Sequence, residues 1–159
     1  MSPAALAAWL ARQGFPGIDG CGENGETPLM RAAQQGNVIA LDALLARGCP
    51  ADTDDDDGNT ALWFACLHGE SGAVLRLIEA GAKINHANDD EYTCLMQAAA
   101  SGQVETMRLL LALGARADLV APDGRSALDM AAERGWQLLA TAARLAGAMP
   151  AALAPPATD

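Results

Sequence analysis

The sequence predicts an all-α solenoid of stacked helix–turn–helix units. Three observations carry that reading. The first is a fixed period. Thr27, Thr60, Thr93 and Ser126 stand 33 residues apart, and so do Leu29, Leu62, Leu95 and Leu128. Gly36, Gly69, Gly102 and Gly135 repeat the interval, as do Gly48, Gly81, Gly114 and Gly147. The second is composition: aromatics make up 4% while alanine abounds, which suits closely approaching helices better than a sheet core. The third is size and polarity. The chain has 159 residues, 51% hydrophobic and 19% charged, enough to bury one core and too apolar for disorder.

The elements follow in order. Pro3–Arg12 carries Leu6, Trp9 and Leu10 at helical spacing, so residues 1–16 read as an N-terminal capping helix. Residues 17–148 hold four repeats. In each, Thr or Ser before an apolar run is an N-cap, and Pro28 takes a first helical position where its missing N–H costs little. The first helices are expected over Thr27–Gln35, Thr60–His68, Thr93–Ser101 and Ser126–Arg134. Small pairs at Ala32/Ala33, Ala65/Cys66, Ala98/Ala99 and Ala131/Ala132 admit a close neighbour. A glycine then breaks the chain. The second helices are expected over Asn37–Arg47, Glu70–Ala80, Gln103–Leu113 and Trp136–Ala146, each closed by a C-cap glycine. In the fourth, Ala143 and Arg144 replace an apolar pair, as a terminal repeat's outer face should. Residues 149–159, with Pro150, Pro155 and Pro156 among alanines, read as a disordered tail.

These units resemble the ankyrin repeat family. The stretches that carry the resemblance are Thr27-Pro28-Leu29-Met30-Arg31-Ala32-Ala33, Thr60-Ala61-Leu62, Thr93-Cys94-Leu95, Ser126-Ala127-Leu128 and Leu109-Leu110-Leu111-Ala112-Leu113-Gly114-Ala115. The resemblance implies antiparallel helix pairs stacked side by side, with β-hairpin loops projecting as fingers. The family's usual histidine after the Leu is replaced by Met30, Trp63, Met96 and Asp129. Glu91 stands for a hairpin glycine, so the third finger is expected to differ in shape.

Enzyme signatures are absent: no nucleophile elbow, phosphate loop or zinc-protease motif occurs. His68 and His86 have no triad partner in the sequence. Cys49, Cys66 and Cys94 fall on columns of small residues and read as packing; Cys21, in the entry loop, is expected to be exposed. No cysteine pair has metal or redox spacing. A calcium loop ending the run Asp54–Gly58 would need Glu where Phe64 stands, so that frame fails. No cofactor is predicted. No run is apolar enough for a membrane helix, and the start lacks the early basic residues of a signal peptide; a cytoplasmic protein is expected.

The net charge is −10, from 20 acids and 10 bases. That repels nucleic acid and anionic membranes and attracts a basic protein. Fourteen of the acids precede Tyr92. By the family's layout the finger tips hold Glu23 and Glu26, then Asp54, Asp55, Asp56 and Asp57, then Asp89, Asp90 and Glu91, then Asp123. Charge on loops also serves solubility, but four consecutive aspartates repel one another. The same layout lines a concave groove with Met30, Gln34, Gln35, Trp63, Leu67, His68, Met96 and Ser101, with Tyr92 at the third finger. For Trp63 and Met96, packing between inner helices is the competing role. Phe64 is assigned to the core. The resulting expectation is a monomeric, non-enzymatic protein–protein interaction module that binds a basic partner through this acidic surface, as inhibitor, immunity protein or adaptor. The alternative is a ligand- or divalent-metal-binding regulator centred on Asp54–Asp57.

Overall fold

A computed structural model describes residues 1–135. It is built of helix pairs: α1 (Pro3–Gln13), α2 (Pro28–Gln34), α3 (Val38–Leu45), α4 (Ala61–His68), α5 (Ser71–Glu79), α6 (Cys94–Ala100) and α7 (Val104–Ala112), followed by helical residues 127–135. The helix expected over Trp136–Ala146, the pair Ala143 and Arg144, and the tail 149–159 lie outside the described residues.

Each inner helix begins as its sequence dictates. Thr27, Thr60 and Thr93 accept the N–H of Met30, Trp63 and Met96 through their hydroxyls at 3.3–3.4 Å. Ser126 accepts that of Asp129 at 3.3 Å. These bonds satisfy donors the first turn leaves orphaned. α2 packs on α4 and α4 on α6; α3, α5 and α7 form the second row. The inner row closes on Ala32, Ala33, Ala65, Cys66, Ala98 and Ala99, all fully buried. Leu41, Leu44, Leu62, Leu77, Leu95 and Leu110 fill the space between the rows. α1 lies against α2 and α3 at one end, burying Leu6, Trp9 and Leu10.

Between pairs the chain runs out and back. Single antiparallel bridges join Asp54 to Thr60, Ala87 to Thr93 and Val120 to Ser126. At each tip one backbone bond recurs: Gly22 N–H to Glu26 O, Asp55 to Asn59, Asn88 to Tyr92 and Ala121 to Arg125, at 2.7–3.0 Å. Neighbouring tips are also tied together. Asp56 N–H donates to Asn24 O at 3.0 Å, and Asp89 N–H to Asp57 O at 3.1 Å.

That tie demands glycine on the acceptor's side, next to the accepting residue. Gly25 and Gly58 have φ of +74° and +76°. A Cβ on Gly58 would lie 2.7 Å from Asp89 N, and one on Gly25 would lie 3.2 Å from Asp56 N. Glu91 departs from the expectation. It keeps the left-handed turn, with φ +62°, so the third finger has the shape of the others. The reason lies one repeat on. Pro122 occupies the place of Asp56 and Asp89 and has no N–H to give Asp90, so the approach that excludes a Cβ is not made there.

Gly58→Ala is therefore expected to lower stability by about 2 kcal/mol or more, from a left-handed residue plus a backbone collision. Glu91→Gly is expected to raise it by about 0.5–1 kcal/mol, the left-handed strain relieved less the entropy of glycine. Urea unfolding of the two variants checks the pair; an equal loss in both sinks the explanation.

Candidate interaction surface

The hairpin tips are built by polar side chains turned inward. Asp55 Oδ1 accepts the N–H groups of Asp57 and Asn59 at 3.0 and 2.8 Å, and its Oδ2 accepts Asn59 Nδ2 at 3.3 Å. Asn59, itself buried, accepts Asn88 Nδ2 at 2.9 Å across to the next hairpin. Asn88 Oδ1 accepts the Tyr92 N–H at 2.9 Å. His86 Nε2 donates to Gly58 O at 2.9 Å, which fixes the proton on that nitrogen because a carbonyl only accepts. The second and third tips are thus one hydrogen-bonded unit.

The outward carboxylates have a different fate. Glu23, Asp54, Asp56, Asp57, Asp89, Asp90 and Glu91 are exposed, and among the described residues none pairs with Lys, Arg or His. This edge ends at the fourth hairpin. There Arg125 Nη2 lies 2.7 Å from Asp123 and Nη1 lies 2.6 Å from Glu133. The hydrogen bond from Arg125 holds the Asp123 carboxyl below the usual aspartate range.

Beside the edge, the first two hairpins and helices α2 and α4 border an open cleft of about 400 Å³. Trp63, Phe64 and Leu67 supply its apolar lining; the Trp63 and Phe64 rings meet edge-on, with centroids 5.3 Å apart at 84°. Glu26 grips Arg31 with both oxygens, at 2.8 and 2.5 Å, and the hydrogen bond raises the guanidinium pKa above its ordinary value. Trp63 Nε1 is buried and unpartnered, the one such side-chain polar atom among the described residues. A smaller cleft of about 200 Å³ lies farther along, between Tyr92, Ala100, Arg125, Met130, Glu133 and Arg134. A row of inner helices with projecting hairpins, repeated every 33 residues, presents an extended surface.

A family model described as ankyrin repeats (3 copies) matches residues 4–88 and 72–145. This chain belongs to the ankyrin repeat family. No curated protein matches it. Ankyrin repeats generally serve as protein–protein interaction modules.

In the ankyrin stack the predicted groove residues divide. Gln34, Trp63 and Leu67 meet in the larger cleft, and Tyr92 lines the smaller one. Gln35 and His68 are exposed; Gln35 Nε2 donates to Gln13 Oε1 at 2.9 Å. Ser101 Oγ accepts Gln97 Nε2 at 3.0 Å. Met30 and Met96 do not reach the groove. They are 0% and 1% exposed, because each sulfur turns back to accept the N-cap N–H of Thr27 or Thr93, at 3.3 and 3.5 Å. Glu26 and Asp55 are not free acids either, being held by Arg31 and by the hairpin itself. Phe64 is half-buried and lines the cleft rather than lying wholly in the core. Asn24, Arg31 and Asn59 also line it and were not singled out by sequence. The signal for Phe64 was its column: it stands one repeat after Arg31.

Cys21 is exposed, Cys49 half-buried, and Cys66 and Cys94 buried. A side-chain hydrogen bond with Cys94, followed by burial, pushes the Cys66 thiol well above its usual range. Burial raises Cys49 too. Neither favours a thiolate at neutral pH.

Trp63→Phe is expected to change stability by less than about 1 kcal/mol, since the lost ring area is offset by removing an unpartnered buried donor. Met96→Ala should cost about 2–5 kcal/mol. Thermal or urea unfolding checks the contrast, and a large loss in Trp63→Phe would count against the orphaned donor. For Asp123, a side-chain NMR titration should give a midpoint below the ~3.9 of a free aspartate. Because that pKa is lowered by folding, its contribution is complete above the free value and is lost as pH falls through the lowered one. A midpoint at or above the free value would remove the Arg125 pair as the end of the acidic edge.

Proposed function

We propose that this ankyrin chain binds a basic protein partner along the edge of its first three hairpin tips, without catalysis of its own. The observation that carries the reading is the row of exposed carboxylates, unpaired among the described residues, on tips that are hydrogen-bonded into register. Charges held in register keep their pattern, so they act together on an approaching partner. They set the on-rate and the partner's orientation. Trp63 and Phe64 in one cleft, and Tyr92 in the next, then offer aromatic surface to desolvate, and such residues dominate binding energy in protein interfaces. An inhibitor, an immunity protein against a basic toxin and an adaptor would each use the surface in this way, and we propose a monomer acting in the cytoplasm.

The second reading, a divalent-metal or ligand site centred on Asp54–Asp57, has weaker support. Asp55 spends both oxygens on its own hairpin, which removes the middle of the cluster as a ligand set. Among the described residues no three His, Cys, Asp or Glu side chains converge to hold a metal ion.

The test replaces Asp54, Asp56, Asp57, Asp89 and Asp90 with Asn and leaves Asp55 in place. Baits of native and substituted chain are exposed to lysate of the native host. The expected result is a basic protein retained by the native chain, released by salt and lost with the substituted one. Equal capture by both baits would reduce the edge to a solubility device. The substituted chain should also be at least as stable as the native one in low salt, because mutual repulsion is removed, with the difference shrinking as salt screens it. Added calcium should leave the melting temperature of the native chain unchanged; a rise would favour the metal reading.

A further inference from the structure

We infer, on the reading that the partner is basic, that the cleft between the first two hairpins takes up one arginine side chain of that partner. Three features of the cleft point to this occupant.

The first is its charge balance. Its lining holds the carboxylates of Glu23, Glu26, Asp55 and Asp57 against the single guanidinium of Arg31. Glu26 neutralises Arg31 through two bonds, and Asp55 is spent on its turn. Glu23 and Asp57 remain, one from each hairpin, both exposed and both without a cationic partner among the described residues. A guanidinium between them meets a carboxylate on either side, and its forked donors can address both.

The second feature is the apolar lining. Phe64 and Leu67 are half-buried, and with Trp63 they give the cation's stem and plane a surface to lie on. Arginine is suited to that surface. Its flat, weakly hydrated head stacks on aromatic rings, whereas the compact lysine ammonium holds its water. The third feature is room. The open cleft measures about 400 Å³, and Arg31, on its own wall, is already held there by the carboxylate of Glu26.

The consequence is a division of labour. The edge recognises positive charge of either kind. The cleft distinguishes arginine from lysine.

Two synthetic peptides test this, alternating glycine with four arginines or with four lysines, their affinities measured by isothermal titration calorimetry in low and moderate salt. On the native chain the arginine peptide should bind about five- to tenfold more tightly, and both should weaken with salt. Phe64→Leu keeps apolar volume while removing the ring, and should bring the two peptides to within about twofold of each other. Glu23→Gln with Asp57→Asn should weaken both. Circular dichroism melts confirm that the variants are folded, and should Phe64→Leu unfold, Trp63→Leu takes its place. Equal affinities on the native chain, with both salt-sensitive, would overturn the arginine site and leave the acidic edge standing. An arginine preference that survives loss of the ring would overturn it as well. Failure of both peptides to bind would overturn both the site and the edge.

Discussion

One hydrogen bond between successive hairpins governs the surface of this protein. The N–H of Asp56 reaches the carbonyl of Asn24, and that of Asp89 reaches Asp57. The bond forms only if the repeats lie close enough at both ends. On the helical side closeness comes from alanine and cysteine: Ala32, Ala33, Ala65, Cys66, Ala98 and Ala99 are fully buried, and a larger side chain at any of them would push the inner helices apart. On the hairpin side it comes from Gly25 and Gly58, which meet the next backbone with no Cβ between. Small residues at two distant points of the repeat therefore serve one distance. The third hairpin shows the rule by its exception, since Pro122 cannot donate and Glu91 carries a side chain where glycine was required.

A second constraint runs through the position after each repeat leucine. The N-cap N–H of an inner helix needs an acceptor. Met30 and Met96 supply sulfur, and Asp129 supplies a carboxylate oxygen at 2.8 Å to Ser126 N–H. Trp63 cannot do this, because an indole nitrogen only donates. Its N–H is left buried without a partner, while part of its ring lines the cleft beside Phe64. The position thus contributes internal bonding in the first, third and fourth repeats and surface in the second. That is where the aromatic cleft opens, and the difference is one of side-chain chemistry on an unchanged backbone.

Most of this fold was legible in the sequence because periodicity and capping are local properties. Thr27, Thr60 and Thr93 announce the inner helices, and the helices begin one residue later. The family followed from the same columns. The site was less legible, because it depends on which way a side chain turns. Met30 and Trp63 occupy equivalent positions; nothing in the sequence says that one folds inward to its own N-cap while the other borders a cleft. Asp55 looks like its neighbours Asp54, Asp56 and Asp57, and only the hairpin's hydrogen bonds separate the structural aspartate from the solvent-facing ones. Glu26 and Arg31 are five residues apart in sequence, a separation no helical or strand rule pairs. Phe64 reads as core from the sequence, whereas its repeat equivalent, Arg31, marks the column as partly exposed.

The same network explains how so acidic an edge coexists with a close-packed stack. Inward-facing polar groups are matched: Asp55 with Asn59, Asn59 with Asn88, Asn88 with the Tyr92 backbone, and His86 with Gly58. Each is a short-range bond that holds a hairpin in place whatever the charge outside. Among the described residues the outward carboxylates make no ion pair in return, so there they contribute mutual repulsion. Beyond the third hairpin the pattern reverses, as Arg116 pairs with Asp118 and Arg125 with Asp123 and Glu133. Among the described residues, the hairpin tips of the first three repeats leave most of their carboxylates unpaired while the fourth pairs its own, so the field along the tips is directed rather than diffuse. The bare end is also the end with the aromatic cleft. Unpaired carboxylates and aromatic surface therefore lie together on the first two repeats.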